Sequence, residues 1–223
     1  MRRKTTAVRI GNVVLSSEEP VLVQSMLNTS TREVDACVEQ AIRIIEAGGR
    51  LVRITAPGVK EAEMLGEIHR RLRERGYTTP ISADIHFVAE AASVAARYVE
   101  KVRINPGNFA DKRATFKKLT YTDEEYAAEL EILRQKFTEF LEVCRQYGTA
   151  VRIGTNHGSL SDRIMSRYGD TPAGMVEATM EYLRVCQACD FKDVVISLKS
   201  SDCRTMVDAV RLLVEKMGAE GVG

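Results

Sequence analysis

The chain has 223 residues, of which 44% are hydrophobic and 28% are charged, and its formal net charge is +1. This composition is typical of a globular protein, and the balanced charge gives no reason to expect nucleic acid as a partner. No apolar run reaches the roughly 18 residues of a membrane-spanning helix, and no apolar stretch follows the basic N-terminus. The sequence therefore predicts neither a membrane protein nor a signal peptide. Five scattered cysteines favour a reducing, cytoplasmic setting over a disulfide framework.

Alternating strand and helix patterns fill the chain after a short hairpin. Residues 7–15 predict a hairpin that turns at Gly11 and Asn12. Strands are then predicted over residues 21–26, 51–55, 81–84, 101–105, 149–154 and 193–198. Helices are predicted over residues 31–47, 58–75, 87–98, 122–147, 161–167, 172–189 and 202–217. Capping-box spacing marks two of the helix starts, at Ser30/Glu33 and at Thr122/Glu125.

This alternation predicts an α/β fold. A strand followed by a helix, repeated every about 25–30 residues, favours a TIM-type (β/α)8 barrel with right-handed crossovers. A Rossmann sheet is the alternative, and it is weakened because no Gly-x-Gly-x-x-Gly follows the first strand. Six strands leave the barrel incomplete, so we expect residues 1–223 to be the N-terminal portion of a barrel domain in a longer protein. The connection at 106–121 is longer than a barrel needs, which indicates a functional loop.

Three of the strands share the motif Val-Arg-Ile. It places Arg53, Arg103 and Arg152 inside runs that have the β-branched composition of buried strands. A guanidinium stays charged and is costly to bury without a partner, so these arginines need carboxylates or an anionic ligand. A fourth Val-Arg-Ile surrounds Arg9 in the predicted hairpin, where we expect the arginine to lie on the surface.

Polar side chains gather at the carboxyl ends of the predicted strands, where barrel enzymes place their sites. The cations there are the three arginines and Lys199, against the two acids Asp84 and Asp202. Arginine forks bind phosphate, and so do the free N–H groups of loops that precede helices. The net basic rim therefore favours a ligand with two phosphates. The further candidates for binding it are Asn105, Asn156, His157 and Ser200.

Structural roles compete with binding roles at several of these positions. Asp84 could orient an arginine instead of facing a substrate. Asn156 could serve a turn alone. His86 and His157 could each be an ordinary hydrogen-bonded side chain.

Two other features favour structural interpretations. Cys186 and Cys189 are three residues apart on a predicted helix, and no second Cys-x-x-Cys accompanies them. A four-ligand metal site needs more than this pair, so buried packing is the better interpretation. The basic run of residues 112–118 is expected to be a solvated loop.

Six motifs that together span almost the whole chain resemble those of the 4-hydroxy-3-methylbut-2-en-1-yl diphosphate synthases of the non-mevalonate isoprenoid pathway. They are Val-Gln-Ser-Met-Leu-Asn-Thr at 23–29, Leu-Val-Arg-Ile-Thr at 51–55, Ala-Asp-Ile-His-Phe at 83–87, Val-Arg-Ile-Asn-Pro-Gly-Asn at 102–108, Val-Arg-Ile-Gly-Thr-Asn-His-Gly-Ser-Leu at 151–160 and Ser-Leu-Lys-Ser-Ser-Asp at 197–202. The additional length at 109–147 is similar to the larger, plant-like form of the family.

The resemblance implies a function and assigns residues to it. The substrate would be 2-C-methyl-D-erythritol 2,4-cyclodiphosphate, whose ring the family opens reductively with a 4Fe-4S cluster and electrons from flavodoxin or ferredoxin. The family's diphosphate-binding positions fall on Arg53, Arg103, Arg152, Asn156 and Lys199. Its acidic position facing the substrate falls on Asp84, the catalytic candidate.

The resemblance also implies that residues 1–223 hold only part of the machinery. The family's cluster ligands, three cysteines and a glutamate, belong to a C-terminal iron–sulfur domain outside this range. We therefore expect no metal ligand here and no turnover by these residues alone. The oligomeric state stays open, a homodimer included.

Two alternatives to this function stay open. One is a pterin-binding barrel of the dihydropteroate synthase type, which would need a pterin pocket that no clear residue set provides. The other is a phosphate-ligand binding module without chemistry. The choice between a cyclodiphosphate and a pterin diphosphate as ligand would separate the first alternative from the synthase.

Overall fold

The hairpin predicted at the start of the chain is confirmed. In the computed structural model its antiparallel strands are β1 (Val8–Ile10) and β2 (Val13–Leu15). Gly11 lies in the turn with a φ of +56°, a left-handed conformation that glycine adopts at little cost. Arg9 is exposed, as expected for the fourth Val-Arg-Ile. Ile10 is fully buried and anchors the hairpin.

The structure describes residues 3–85, 88–111 and 120–222. Beyond the hairpin the strands are β3 (Gln24–Met26), β4 (Leu51–Thr55), β5 (Ile81–Asp84), β6 (Lys101–Ile104), β7 (Ala150–Asn156) and β8 (Val194–Lys199). The helices are α1 (Val34–Glu46), α2 (Val59–Glu74), α3 (Ala89–Ala95), α4 (Asp123–Tyr147), α5 (Asp162–Tyr168), α6 (Pro172–Ala188) and α7 (Cys203–Ala219). His86 and the basic run at 112–118 lie outside the described residues. Of the helices described, none is both long and apolar enough to cross a membrane.

Six strands form one sheet in the order β3-β4-β5-β6-β7-β8. The pairs from β3 to β6 are parallel, and each strand lies beside the next one in the chain. This sequential order is that of a barrel wall. In a Rossmann sheet, by contrast, the order of the strands reverses beside the first strand. The predicted alternation is therefore confirmed, and the Rossmann alternative is wrong.

The register of the parallel strands separates an apolar face from a polar face, because successive side chains point to opposite sides of a sheet. The apolar face carries the fully buried residues Val52, Ile54, Ile81, Ala83 and Val102. Helices α1, α2 and α3 pack against strands β4, β5 and β6. The polar face carries the register partners Arg53 and Ser82, Ser82 and Lys101, and Asp84 and Arg103.

The first strand of the sheet is shorter than predicted. It begins at Gln24, which pairs with Leu51, the first residue of β4. Upstream of this pair, Val21 and Val23 are 81% and 55% exposed. This edge of the sheet therefore presents apolar side chains and strand backbone, the kind of edge that favours association.

One predicted capping box is present and the other is wrong. At α4, the main-chain N–H of Thr122 donates to Glu125 Oε2 at 3.0 Å, and that of Glu125 donates to Thr122 Oγ1 at 3.2 Å. At α1, no side chain caps the first turn. The N–H of Glu33 instead donates to the carbonyl oxygen of Ser30 at 2.9 Å, so a backbone turn stands where the Ser30 cap was expected.

The chain divides into two compact units. Unit 1 comprises Met1–Ile104 and Glu142–Arg152, and unit 2 comprises Asn105–Leu141 and Ile153–Gly223. In unit 2 an aromatic cluster packs around the middle of α4 and forms part of the core. Its members are Phe109, Phe137, Phe140 and Tyr182. The rings of Phe137 and Tyr182 meet edge to face, with their centroids 4.8 Å apart.

Replacing Phe137 with alanine tests this aromatic core. Phe137 is fully buried, so Phe137→Ala should lower the free energy of unfolding by about 3–5 kcal/mol, measured by chemical denaturation followed by circular dichroism. Ile132 lies on the same helix and is 50% exposed, and Ile132→Ala is the control. The control should change stability by less than about 1 kcal/mol. Equal losses in the two variants would contradict this packing.

Candidate functional site

Five charged side chains of unit 1 form what we call the cationic cluster. They are Arg53 on β4, Asp84 on β5, Lys101 and Arg103 on β6, and Arg152 on β7. The register places the β4, β5 and β6 members on the polar face of the sheet. Four of the residues predicted from sequence, namely the three strand arginines and Asp84, are thus brought together.

Asp84 is the anion of the cationic cluster. Its carboxylate is 1% exposed and accepts hydrogen bonds from two guanidinium groups. Arg53 Nη2 donates to Oδ2 at 2.5 Å, and Arg103 Nη1 donates to Oδ1 at 3.3 Å. A carboxylate held between two arginines fixes the orientation of both. The geometry therefore favours the orienting role over the substrate-facing one, the two roles that the sequence leaves open.

The cations of the cluster destabilise one another. Burial and, after it, the neighbouring charges of Arg53 and Arg103 together lower the pKa of Arg152 to about 10. Burial also lowers the pKa of Arg103, where the Asp84 carboxylate opposes the shift. Arg103 and Arg152 stay protonated near neutral pH even so. An anionic ligand would relieve this repulsion, because an opposite charge nearby favours the protonated form.

Lys101 is a member of the cluster that sequence reasoning missed. The residue is 4% exposed, and its Nζ donates to Gln24 Oε1 at 3.3 Å. Burial, followed by the charges of Arg152 and Arg53, lowers the pKa of Lys101 to about 7. The signal was present in the sequence, because Lys101 stands two residues before Arg103 and therefore on the same face of the strand.

Four predicted site residues belong to unit 2, at the ends of β7 and β8. The main-chain N–H of His157 donates to the carbonyl oxygen of Lys199 at 2.8 Å, which joins the two strand ends. The ring Nε2 of His157 lies 3.1 Å from the carbonyl oxygen of Asp170 and 3.4 Å from its Oδ1. Asn156 is half-buried and Lys199 is exposed. The fourth residue, Ser200, accepts a hydrogen bond on Oγ from the N–H of Asp202 at 3.1 Å.

Asn105 is buried and hydrogen-bonded within its own loop. Its Oδ1 accepts from the N–H of Gly107 at 3.2 Å, and its Nδ2 donates to Ser159 Oγ at 3.1 Å. A Cβ at Gly107 would lie 1.7 Å from the carbonyl oxygen of Ser159, so only glycine fits this approach. The amide of Asn105 therefore has an evident structural use, and its binding role stays a prediction.

The first described part of the predicted functional loop, residues 106–111, is packed and not open. Arg163, which is 1% exposed, donates from Nη2 to Asp111 Oδ2 at 2.9 Å and from Nη1 to Glu181 Oε1 at 2.6 Å. Tyr182 donates from its hydroxyl to the carbonyl oxygen of Pro106 at 3.3 Å. These bonds brace the start of the loop from α5 and α6. Residues 112–119 lie outside the described ranges.

The cysteines do not fit an iron–sulfur cluster. Cys186 is buried on α6, and burial raises the pKa of its thiol to about 12, which opposes the thiolate that iron requires. Cys189 Sγ lies 3.7 Å from Thr138 Oγ1. Within the residues that the structure describes, no group of three or more His, Cys, Asp or Glu side chains could hold a metal ion.

Comparison with known proteins identifies the family. The model of the GcpE TIM-barrel domain matches residues 5–220. The chain belongs to the GcpE family. Its fold is accordingly a TIM-type barrel, as predicted, with six strands and an N-terminal hairpin among the residues described.

Curated relatives of this GcpE-family chain carry the name given by the motif resemblance. The "4-hydroxy-3-methylbut-2-en-1-yl diphosphate synthase (flavodoxin)" of Parabacteroides distasonis is 58% identical over 99% of this chain and 36% of that protein. The chloroplastic "(ferredoxin)" synthase of Arabidopsis thaliana is 48% identical over 99% of this chain and 30% of that protein. The chain thus spans about a third of the length of the curated relatives that it matches.

Solved structures share the fold at low sequence identity. A phospho-2-dehydro-3-deoxyheptonate aldolase from Thermotoga maritima superposes with a TM-score of 0.54 and 12% identity, covering 94% of this chain and 52% of that one. A truncated form of the same organism's 3-deoxy-D-arabino-heptulosonate 7-phosphate synthase gives 0.53 and 12%, covering 94% and 65%. This likeness concerns the fold alone.

Replacing Lys101 with methionine tests the electrostatics of the cluster. The folded pKa of about 7 lies below the ordinary value of 10.5, so between these values the unfolded chain binds more protons than the folded chain does. Wild-type stability should therefore rise with pH through this window. Lys101→Met should remove that rise and stabilise the fold near neutral pH by about 2–4 kcal/mol, measured by urea denaturation.

The matched control for this experiment is Lys60→Met, at an exposed position on α2. It should leave both the stability and its pH dependence unchanged. A Lys101→Met variant with the wild-type pH dependence would contradict the assignment of the depressed pKa to Lys101.

Proposed function

We propose that the chain is the substrate-binding barrel portion of a 4-hydroxy-3-methylbut-2-en-1-yl diphosphate synthase. In this proposal the whole protein is an oxidoreductase of isoprenoid biosynthesis. It reductively opens 2-C-methyl-D-erythritol 2,4-cyclodiphosphate to 4-hydroxy-3-methylbut-2-enyl diphosphate. Membership of the GcpE family and the names of the relatives support this assignment.

The observation that carries the proposal is the charge balance of the cationic cluster. Three arginines and a lysine share the cluster with one carboxylate, and that carboxylate already bridges Arg53 and Arg103. A cyclodiphosphate carries one negative charge on each of its two phosphates, so it offsets two of these cations. The guanidinium groups are also the donors best suited to bidentate phosphate binding.

Asn156 and Lys199 are proposed as further phosphate ligands because they stand at positions of the matching motifs. Asn156 is half-buried and Lys199 is exposed, so a phosphate can reach both side chains. His157, Asn105 and Ser200 are proposed with less geometric support, since each has a hydrogen-bonding role of its own in unit 2.

For Asp84 we propose that it orients the arginines that hold the substrate. Its two carboxylate oxygens accept from Arg53 and Arg103, so its loss would release both guanidinium groups from their positions. A direct catalytic contact between Asp84 and the substrate stays a prediction.

The redox step is proposed for the whole protein, with residues 1–223 inactive by themselves. The relatives' names give flavodoxin or ferredoxin, which we propose as the electron donor. Because the described cysteines do not suit a 4Fe-4S cluster, we propose that its ligands come from the remaining two-thirds of the relatives' length. The role of this chain is then to bind and orient the cyclodiphosphate.

Arginine and lysine truncations test the proposed binding role. Arg152→Ala and Lys199→Ala should each weaken binding of 2-C-methyl-D-erythritol 2,4-cyclodiphosphate by about 1.5–3 kcal/mol, since each removes charge-assisted hydrogen bonds. The measurement is calorimetric titration of chains checked for folding by circular dichroism. Arg9→Ala is the matched control, because Arg9 lies in the same Val-Arg-Ile sequence on the exposed hairpin and should leave affinity unchanged.

The salt dependence of binding and the choice of ligand complete this test. Affinity should fall as salt is raised, because cations and phosphates are screened. Wild-type affinity in both truncated variants would contradict the proposed phosphate ligands. Preferential binding of a pterin diphosphate would favour the dihydropteroate-type alternative.

A further inference from the structure

Lys101 lies in a setting unusual for a lysine. It is 4% exposed, and its Nζ donates a hydrogen bond at 3.3 Å to the side-chain carbonyl oxygen of Gln24, which lies on β3. Buried lysines are ordinarily paired with a carboxylate. No carboxylate oxygen lies within ion-pair distance of Lys101 among the residues that the structure describes. Gln24 can accept a hydrogen bond from either the ammonium or the neutral amine, so the contact suits both states.

The groups that face Lys101 from the neighbouring strands are mostly cationic. Arg53 of β4 and Arg152 of β7 repel its charge, and Arg103 stands two residues along on β6. Asp84 of β5 is the acid of the cluster, and both of its oxygens accept from arginines. Ser82, the register partner of Lys101, is buried, and its hydroxyl has no hydrogen-bond partner among the described residues.

We propose that Lys101 takes up a proton from solvent when a dianionic phosphate ester binds the cationic cluster, so that ligand binding and protonation are coupled. This inference rests on the proposed function and adds a proton switch to it. The proton converts the neutral amine of Lys101 to the ammonium, and no other bond is made or broken. The two charges of the ligand offset the arginines that otherwise disfavour the ammonium.

The switch follows from the balance of forces on Lys101 in the free protein. Its pKa there is about 7, so the free chain holds the amine and the ammonium in comparable amounts near neutral pH. A bound dianion raises this pKa by electrostatic attraction. By linkage, the same coupling makes the ligand bind more tightly to the protonated form, and therefore at lower pH.

Calorimetric titration with 2-C-methyl-D-erythritol 2,4-cyclodiphosphate measures the coupled proton directly. Each phosphorus of this ligand has one strongly acidic oxygen, so the ligand itself does not titrate near neutral pH. Titrations near pH 7 in buffers of different ionisation enthalpy should give uptake of about half a proton per ligand bound. Lys101→Met should bind with no proton uptake.

A second variant keeps the test valid if Lys101→Met does not fold. Lys101→Arg keeps a permanent charge, so it should also bind without taking up a proton. The pH dependence of wild-type binding needs no variant at all. The dissociation constant should be roughly tenfold or more higher at about pH 8.5 than at about pH 6.5, and nearly flat in Lys101→Arg.

The outcomes separate the two proposals. Proton uptake by the wild type that is absent from the Lys101 variants supports the switch. Binding without proton uptake, or equal uptake in wild type and variants, overturns the switch and leaves the proposed function standing. Failure of the folded wild-type chain to bind the cyclodiphosphate at any pH overturns the proposed function and the switch with it.

Discussion

Burial of like charges on one face of a parallel sheet is the constraint on which this structure depends. Four cations and one carboxylate occupy neighbouring positions of β4 to β7, and burial lowers the pKa values of three of the cations. Such an arrangement opposes folding, since each buried charge carries a desolvation cost and like charges repel one another. An anionic ligand would offset this repulsion, which is why we propose the cluster as an anion site.

The opposite face of the same strands supplies the stability that offsets this cost. Val52, Ile54, Ile81 and Val102 are fully buried, and α1 to α3 pack against their strands. Each buried aliphatic side chain contributes about 1.5–3 kcal/mol, so a few of them offset a strained polar face. Regular strands carry the arginines, and Asp84 holds two of the guanidinium groups in place. Binding of an anion there would therefore require little further ordering of these side chains.

Site residues that strand periodicity marks can be predicted well from the sequence. Site residues whose role depends on contacts with distant parts of the chain are predicted poorly. Arg53 and Arg103 are predictable because each interrupts a β-branched run, and a guanidinium in a buried strand requires an anionic partner. Strand periodicity places Lys101 on the face of Arg103, but only the fold reveals its hydrogen bond to Gln24, 77 positions earlier in the chain. Asn105 has the residue type of a ligand, but only the fold reveals that Gly107 and Ser159 already use its amide.

A crystal structure of this chain with bound 2-C-methyl-D-erythritol 2,4-cyclodiphosphate would test the central claim most directly. We expect phosphate oxygens within hydrogen-bond distance of the guanidinium groups of the cationic cluster, at about 2.7–2.9 Å. Asp84 should keep its contacts with Arg53 and Arg103 in the complex. Phosphates bound elsewhere, with the cluster unchanged and unliganded, would contradict the account and leave the buried arginines without a functional explanation.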